Sequence, residues 1–285
     1  MDTVYGTSNA FLLGCIVLSL LLFALGNRFW RFKEQPAPTL LFIGTRSLIG
    51  SFWAAVGWWM WSGGWPSWSW NAAVWQAVGL GGLGFLGLWA FVRSLNSDHS
   101  ASALVGQSLN VVVGFAVGTA LSGTWPSGYQ VLAATLLLSI QLLLLFRRGG
   151  IRGWIPAAAG LAYGLYYPLS VPALRELGPL SFFLIAEWTQ GLLALVLGTA
   201  LGEWKRFKLP LLRQAGMQAA FATGGQLAYF GALGAAALPQ VVLLSGLGFS
   251  VNYLALHRPK SKEDWAYLAY FSAAGLTGVW LTLMN

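Results

Sequence analysis

Pro38-Thr-Leu-Leu-Phe-Ile-Gly-Thr-Arg46-Ser-Leu-Ile-Gly-Ser-Phe-Trp53 sets one full charge inside an otherwise apolar, helix-length run. Pro179-Leu-Ser-Phe-Phe-Leu-Ile-Ala-Glu187-Trp-Thr-Gln190 does the same with the opposite charge. Each charge follows its proline by eight positions, and 141 residues separate them. A charge at membrane depth is costly, so it is expected to be paired, to face a cavity, or both.

The surrounding composition is that of a membrane protein. The 285 residues are 57% hydrophobic and only 8% charged, against roughly 25% charge in a soluble domain. Glycine (36) and tryptophan (16) are abundant. Glycine lets membrane helices approach closely, and tryptophan collects at the water–lipid interface. A single cysteine, Cys15, excludes an internal disulfide. Met1–Thr7 has no basic region, so the first apolar stretch reads as a retained helix rather than a cleaved leader.

A spanning helix needs about 20 mostly apolar residues. On that criterion ten spans are expected: Asn9–Asn27, Thr39–Trp61, Val74–Val92, Ser100–Leu121, Tyr129–Phe146, Trp154–Leu174, Pro179–Leu201, Gly216–Leu233, Leu238–Leu256 and Trp265–Met284. The odd-numbered loops then hold fourteen of the sixteen basic residues. By the positive-inside rule those loops face the cytoplasm and both termini face out. The other side carries Trp61, Trp65, Trp68, Trp70 and Trp125, which read as an aromatic belt. The net charge of +8 is thus an orientation signal, with possible contacts to anionic lipid, and no nucleic-acid partner is expected.

The halves look alike. Leu88-Trp-Ala-Phe91 resembles Leu227-Ala-Tyr-Phe230, and each is followed by a small-residue turn and a Gly/Ser-broken helix. Five spans per half is odd, so the second half enters the membrane from the opposite side. The expected fold is therefore an all-α membrane protein of ten transmembrane helices in two inverted five-helix repeats, residues 1–148 and 149–285. At about 1.5 Å per residue, Arg46 and Glu187 each lie roughly 12 Å deep from opposite faces. In a core of about 30 Å they stand roughly 6 Å apart along the membrane normal.

Together these patterns resemble the drug/metabolite transporter superfamily, in particular its ten-helix EamA-like members. The resemblance rests on Pro38…Arg46, on Leu88–Asn110 with its echo Leu227–Phe249, and on the closing Gly-rich Ala269–Gly278. Asn110 stands where the family often has proline. Ser122–Trp125 and Leu256–Lys260 replace its usual Gly-Glu-Arg turns. The family's termini are commonly drawn inside, opposite to the charges here. The resemblance implies a central cavity and alternating access in a bacterial cytoplasmic (inner) membrane.

Arg46 suits a carboxylate or phosphate through its planar fork. Glu187 suits a substrate ammonium, and is also the candidate to carry a coupling proton. Their structural alternative is a permanent ion pair that only fixes packing. Mid-span polar and aromatic residues complete the candidate binding set: Gln107, Asn110, Gln190, Gln226, Tyr229 and Ser245, with Tyr163, Tyr166 and Tyr167 on one helical face. Trp89 and Trp188 are expected to join those tyrosines in an aromatic wall, with Pro168 and Pro172 as a kink nearby. Singly, each polar group equally serves helix–helix hydrogen bonding. His99 and His257 lack clustered partners, so no metal and no cofactor are expected. Aspartate occurs only at Asp2, Asp98 and Asp264, and neither a Gly-x-Ser-x-Gly turn nor a His-Glu-x-x-His helix is present, which argues against an intramembrane enzyme. The expected function is secondary transport of small polar or zwitterionic, amino-acid-like metabolites by a monomer or homodimer in contact with membrane lipid. The alternative is transport of sugar-phosphate or lipid-linked phosphate substrates.

Overall fold

A computed structural model describes residues 9–32, 37–96, 100–123, 125–128, 130–132, 134–135, 138–139, 154–235, 241–242 and 247–256, with a few positions between 262 and 276. Every regular element in them is helical. The α-helices are α1 (Asn9–Asn27), α2 (Thr39–Ser62), α3 (Ala72–Leu95), α4 (Ser100–Ser122), α5 (Trp154–Ala200), α6 (Leu209–Ala235) and α7 (Leu247–Leu256). Short 3-10 turns follow α1 (Arg28–Trp30) and α5 (Glu203–Arg206).

This corrects the expectation of ten spans in two inverted five-helix repeats. Seven α-helices occur among the described residues, and four stretches are long and apolar enough to cross a membrane: Ala10–Trp30, Thr39–Ser62, Ala72–Leu95 and Ile155–Ala200. The all-α class stands, and the long apolar helices make the chain a membrane protein. One reason for the lower number is α5. The sixth and seventh expected spans are two helical arms of this one 47-residue element, joined directly at a kink where the Gly178 backbone is not helical. Gly178 adopts φ 77°, a conformation that glycine reaches without steric cost. Pro179 follows it and has no N–H to continue the ladder. Helix α6 carries Arg213, Gln214, Gln218 and Gln226, which dilute its apolar character. More than half of the expected fifth span and most of the tenth lie outside the described residues.

Helix α5 is the centre of the packing, touching α2, α3, α4 and α6. Small residues bring the helices together. A Cβ built at Gly160 would lie 2.0 Å from the Gly106 carbonyl oxygen, so α4 and α5 cross there only as glycines. Phe182 and Phe183 of α5 are fully buried against this frame. Helix α1 packs on α6 and α7, where Asn27 Nδ2 donates to Asn252 Oδ1 at 2.7 Å.

The two ends of the bundle differ. At one, the 28–32 segment, the start of α2, the end of α3 and the α5–α6 connection converge. This basic end gathers Arg28, Arg31, Arg93, Lys205, Arg206, Lys208 and Arg213. At the opposite end Asn71 caps α3 by accepting from Val74 N at 3.1 Å, and its Nδ2 donates to Glu176 Oε1 at 2.6 Å.

Candidate functional site

Glycines at 44 and 191 let α2 and α5 close on each other. A Cβ at Gly44 would meet Leu195 Cγ at 2.6 Å, and one at Gly191 would meet Ser47 Cβ at 3.2 Å. That approach places Arg46 against Glu187. Arg46 Nη1 donates to Glu187 Oε2 and, at 3.2 Å, to Ser47 Oγ. Gln190 Nε2 donates to Ser47 Oγ at 3.0 Å, and Gln226 Nε2 of α6 donates to Glu187 Oε1 at 2.9 Å. Arg46 is 4% exposed and Glu187 3%. Three helices thus contribute to one buried polar centre. A buried pair of this kind is poor evidence for stability, because desolvation offsets much of the attraction. Losing one partner is costly, because the other charge is then buried alone.

The basic-end side of this centre is closed. Trp30 is 1% exposed, its ring 5.8 Å from the Arg46 guanidinium carbon. Phe42 packs on Trp30 and on Phe32 at ring distances of 5.3 and 5.0 Å. Polar side chains hold this aromatic plug. Asn96 Oδ1 accepts from Phe32 N at 2.9 Å, and its Nδ2 donates to Trp30 O at 2.7 Å. Gln214 Nε2 donates to the carbonyls of Phe29 (2.5 Å) and Arg31 (3.1 Å). Helix α2 starts after Pro38, which offers no side-chain cap. Glu203 supplies the missing acceptor from the α5–α6 connection, taking Leu41 N at 2.9 Å. Burial pushes the Glu203 carboxyl above its ordinary range, against the opposing pull of the Leu41 and Leu40 N–H groups and of Arg206.

The opposite side is open. A cavity of about 830 Å³ lies between the C-terminal half of α2, the start of the second arm of α5, and α6. Trp53, Trp58, Trp61, Pro179, Thr223 and Leu227 line it, with Gly50 between α2 and α6. None of the residues expected from the sequence to bind substrate is among its lining residues.

Those expected residues fall into separate groups. Arg46, Glu187, Gln190 and Gln226 meet in the polar centre. Tyr163, Tyr166 and Tyr167 do share a face: Tyr163 and Tyr167 stack at 5.8 Å, and Tyr229 of α6 meets Tyr167 edge-on at 4.7 Å. Tyr166 also packs on Phe182 and Phe230. The two tryptophans stand elsewhere. Trp89 lies under the Arg93 guanidinium at 5.2 Å, and Trp188, 43% exposed, meets Trp68 edge-on at 6.1 Å. Asn110 is half-buried on α4 where it crosses α5. Ser245 and the side chain of Gln107 lie outside the described residues, as do His99 and His257. The helix break sits at Gly178, not at Pro168 or Pro172, which remain inside the helix. Trp30, Ser47, Thr223 and Glu203 were not legible as site residues. A lone carboxylate directly after Gly202, in an otherwise basic connection, was the one available hint for Glu203.

No protein-family model matches the sequence, and no curated protein matches it significantly. Thirteen solved chains match the structure. One of them, described only as "Crystal structure of protein", superposes with a TM-score of 0.68 at 14% identity, covering 97% of this chain and 99% of its own. At that identity the likeness is one of fold: nearly the whole chain shares its architecture with a solved protein.

Proposed function

We propose that this chain is a secondary transporter that carries small polar or zwitterionic, amino-acid-like metabolites across a bacterial cytoplasmic membrane by alternating access. The observation that carries the reading is the Arg46–Glu187 pair, buried between apolar helices and closed on the basic-end side, with a cavity that starts one turn further along α2 at Gly50. A guanidinium and a carboxylate side by side offer a counter-charge to each end of a zwitterion. When the pair is self-satisfied, no net charge is left uncompensated in the membrane interior. An exchange between self-pairing and substrate-pairing lets the loaded and empty protein cross between states at similar cost. The resemblance to EamA-like transporters belongs to the same proposal.

The test is uptake into proteoliposomes of amino acids, nucleosides and phosphorylated sugars by the wild type, Arg46→Ala and Glu187→Gln. Loss of amino-acid uptake in both variants is expected. Unchanged uptake in both removes the pair from the transport path. Competition by phosphorylated ligands alone moves the reading to phosphate carried on Arg46.

A further inference from the structure

Three buried polar atoms have no hydrogen-bond partner among the described residues: Thr223 Oγ1, which lines the cavity, and Gln226 Oε1 and Arg46 Nε, on residues that do not line it but stand within one helical turn of residues that do. They comprise a hydroxyl, an acceptor and a donor. A buried polar group left unpaired is unfavourable, so three of them within one helical turn of a cavity call for an explanation. Arg46 and Gly50 lie at i and i+4 on α2, and Thr223 and Gln226 at i and i+3 on α6, so each pair shares a helix face. Gly50 and Thr223 both line the cavity. A Cβ at position 50 would lie 2.5 Å from Thr223 Oγ1, so the glycine keeps that hydroxyl within reach of the cavity.

We propose that the cavity holds the apolar body of an amphiphile whose head carries both a hydrogen-bond donor and an acceptor without net charge, as an amide or a zwitterion does. The tryptophans of α2, with Pro179 and Leu227, receive the body. Thr223 receives the head, which faces the unmet acceptor of Gln226 and the unmet donor of Arg46. A head with only a positive or only a negative charge satisfies one of the two and adds an uncompensated ion to an apolar site. The volume lies within the range of small-molecule sites, about 300–1,000 Å³. The inference deepens the transport reading by naming the apolar half of the substrate, and it rests on that reading only where movement, rather than binding, is concerned.

The experiment is equilibrium dialysis of the purified full chain in lipid nanodiscs against radiolabelled N-octanoylglycinamide, with octylamine and octanoate as competitors. Saturable binding is expected, displaced by the unlabelled amide well below the concentrations of amine or acid that are needed. Thr223→Val keeps the side-chain shape and removes the hydroxyl, and is expected to weaken binding about tenfold, the loss of roughly one hydrogen bond. Thr223→Ser is expected to retain it. Gly50→Ala is expected to weaken binding as well. If it fails to fold, the double variant Gly50→Ala/Thr223→Ala has room for the new methyl and should fold but bind as weakly as Thr223→Val. Absence of saturable binding, equal displacement by all three compounds (the mark of a groove for lipid chains), or unchanged affinity in Thr223→Val overturns the proposal. Uptake assays on the same variants separate it from the transport reading. Binding without uptake of any solute keeps this site and rejects transport. Amino-acid uptake by a protein whose amide binding Thr223→Val leaves unchanged keeps transport and rejects this site.

Discussion

Helix α2 passes from one kind of environment to another. Its first turns, Leu40 to Gly44, are buried beneath the aromatic plug, while its last, Trp58 to Trp61, are exposed beside the cavity. At the basic end, side chains from three separate places close over the polar centre: Asn96 at the end of α3, Gln214 in α6 and Glu203 in the α5–α6 connection. At the opposite end tryptophan is plentiful, yet it lines an opening. The same residue type therefore does opposite work at the two ends. Trp30 seals because backbone carbonyls around it are clasped by side-chain amides. Trp61 is 88% exposed and leaves its space open. Apolar bulk alone does not close a helix bundle; directional hydrogen bonds that hold the bulk in place do.

The strongest way to break this contrast is to unpair the centre that both ends share. Glu187→Ala leaves Arg46 buried and uncompensated, so unfolding stability in detergent should fall by about 3–5 kcal/mol. The double variant Arg46→Met/Glu187→Leu should regain most of that loss and still fail to transport. If Glu187→Ala alone is neutral, the pair is not dry and the closed end leaks. A direct comparison of tryptophans comes next. Trp30→Ala should cost about 3–5 kcal/mol as a large buried ring is lost. Trp61→Ala should stay within about 0.5 kcal/mol, as exposed positions do. Equal effects in a pair of thermal melts would erase the distinction between sealed and open ends.

The smallest effect expected is a pH-dependent one. The folded Glu203 carboxyl titrates above its unfolded value, so its contribution to stability is present in full below the unfolded pKa and is lost as pH rises through the folded one. Glu203→Gln cannot ionise. Relative to wild type it should therefore gain stability progressively as pH rises from about 4, the ordinary glutamate value, in unfolding titrations. A constant difference as pH rises would show that the carboxyl is not desolvated. Glu203→Ala also removes the acceptor at the α2 start and should be about 1 kcal/mol less stable than Glu203→Gln, independent of pH because neither side chain ionises.

Much of the site was legible as a set of residues and little of it as an arrangement. Equal spacing from proline marked Arg46 and Glu187 as deep charges of opposite sign. The tyrosines at i, i+3 and i+4 were assigned one face, and stacking places them there. Trp188 was grouped with them although it adjoins Glu187. Successive helical residues point about 100° apart, so a neighbour of a buried glutamate faces elsewhere. Trp30 sat among Arg28, Arg31 and Lys33 in what read as an orientation signal, and spacing cannot say that one ring of such a loop turns inward. The turn around Arg175–Leu177 read as the end of one span and the start of another. The chain does leave the helical region there, at Gly178, and the two helical arms on either side meet without a longer loop, because a single positive-φ residue can redirect the backbone.

Composition and periodicity alone determined that this chain is helical and apolar, where its basic residues cluster, and which two charges lie deep. These follow from local quantities: hydropathy along the chain and counting from a proline. Which residues touch those charges, which end is sealed and where the cavity lies were decided by tertiary structure. Glu187 and Arg46 are 141 residues apart, and Gln226 reaches them from a third helix. Such contacts depend on how each helix is rotated about its own axis and how closely glycines let it approach its neighbours, and no local pattern carries that information.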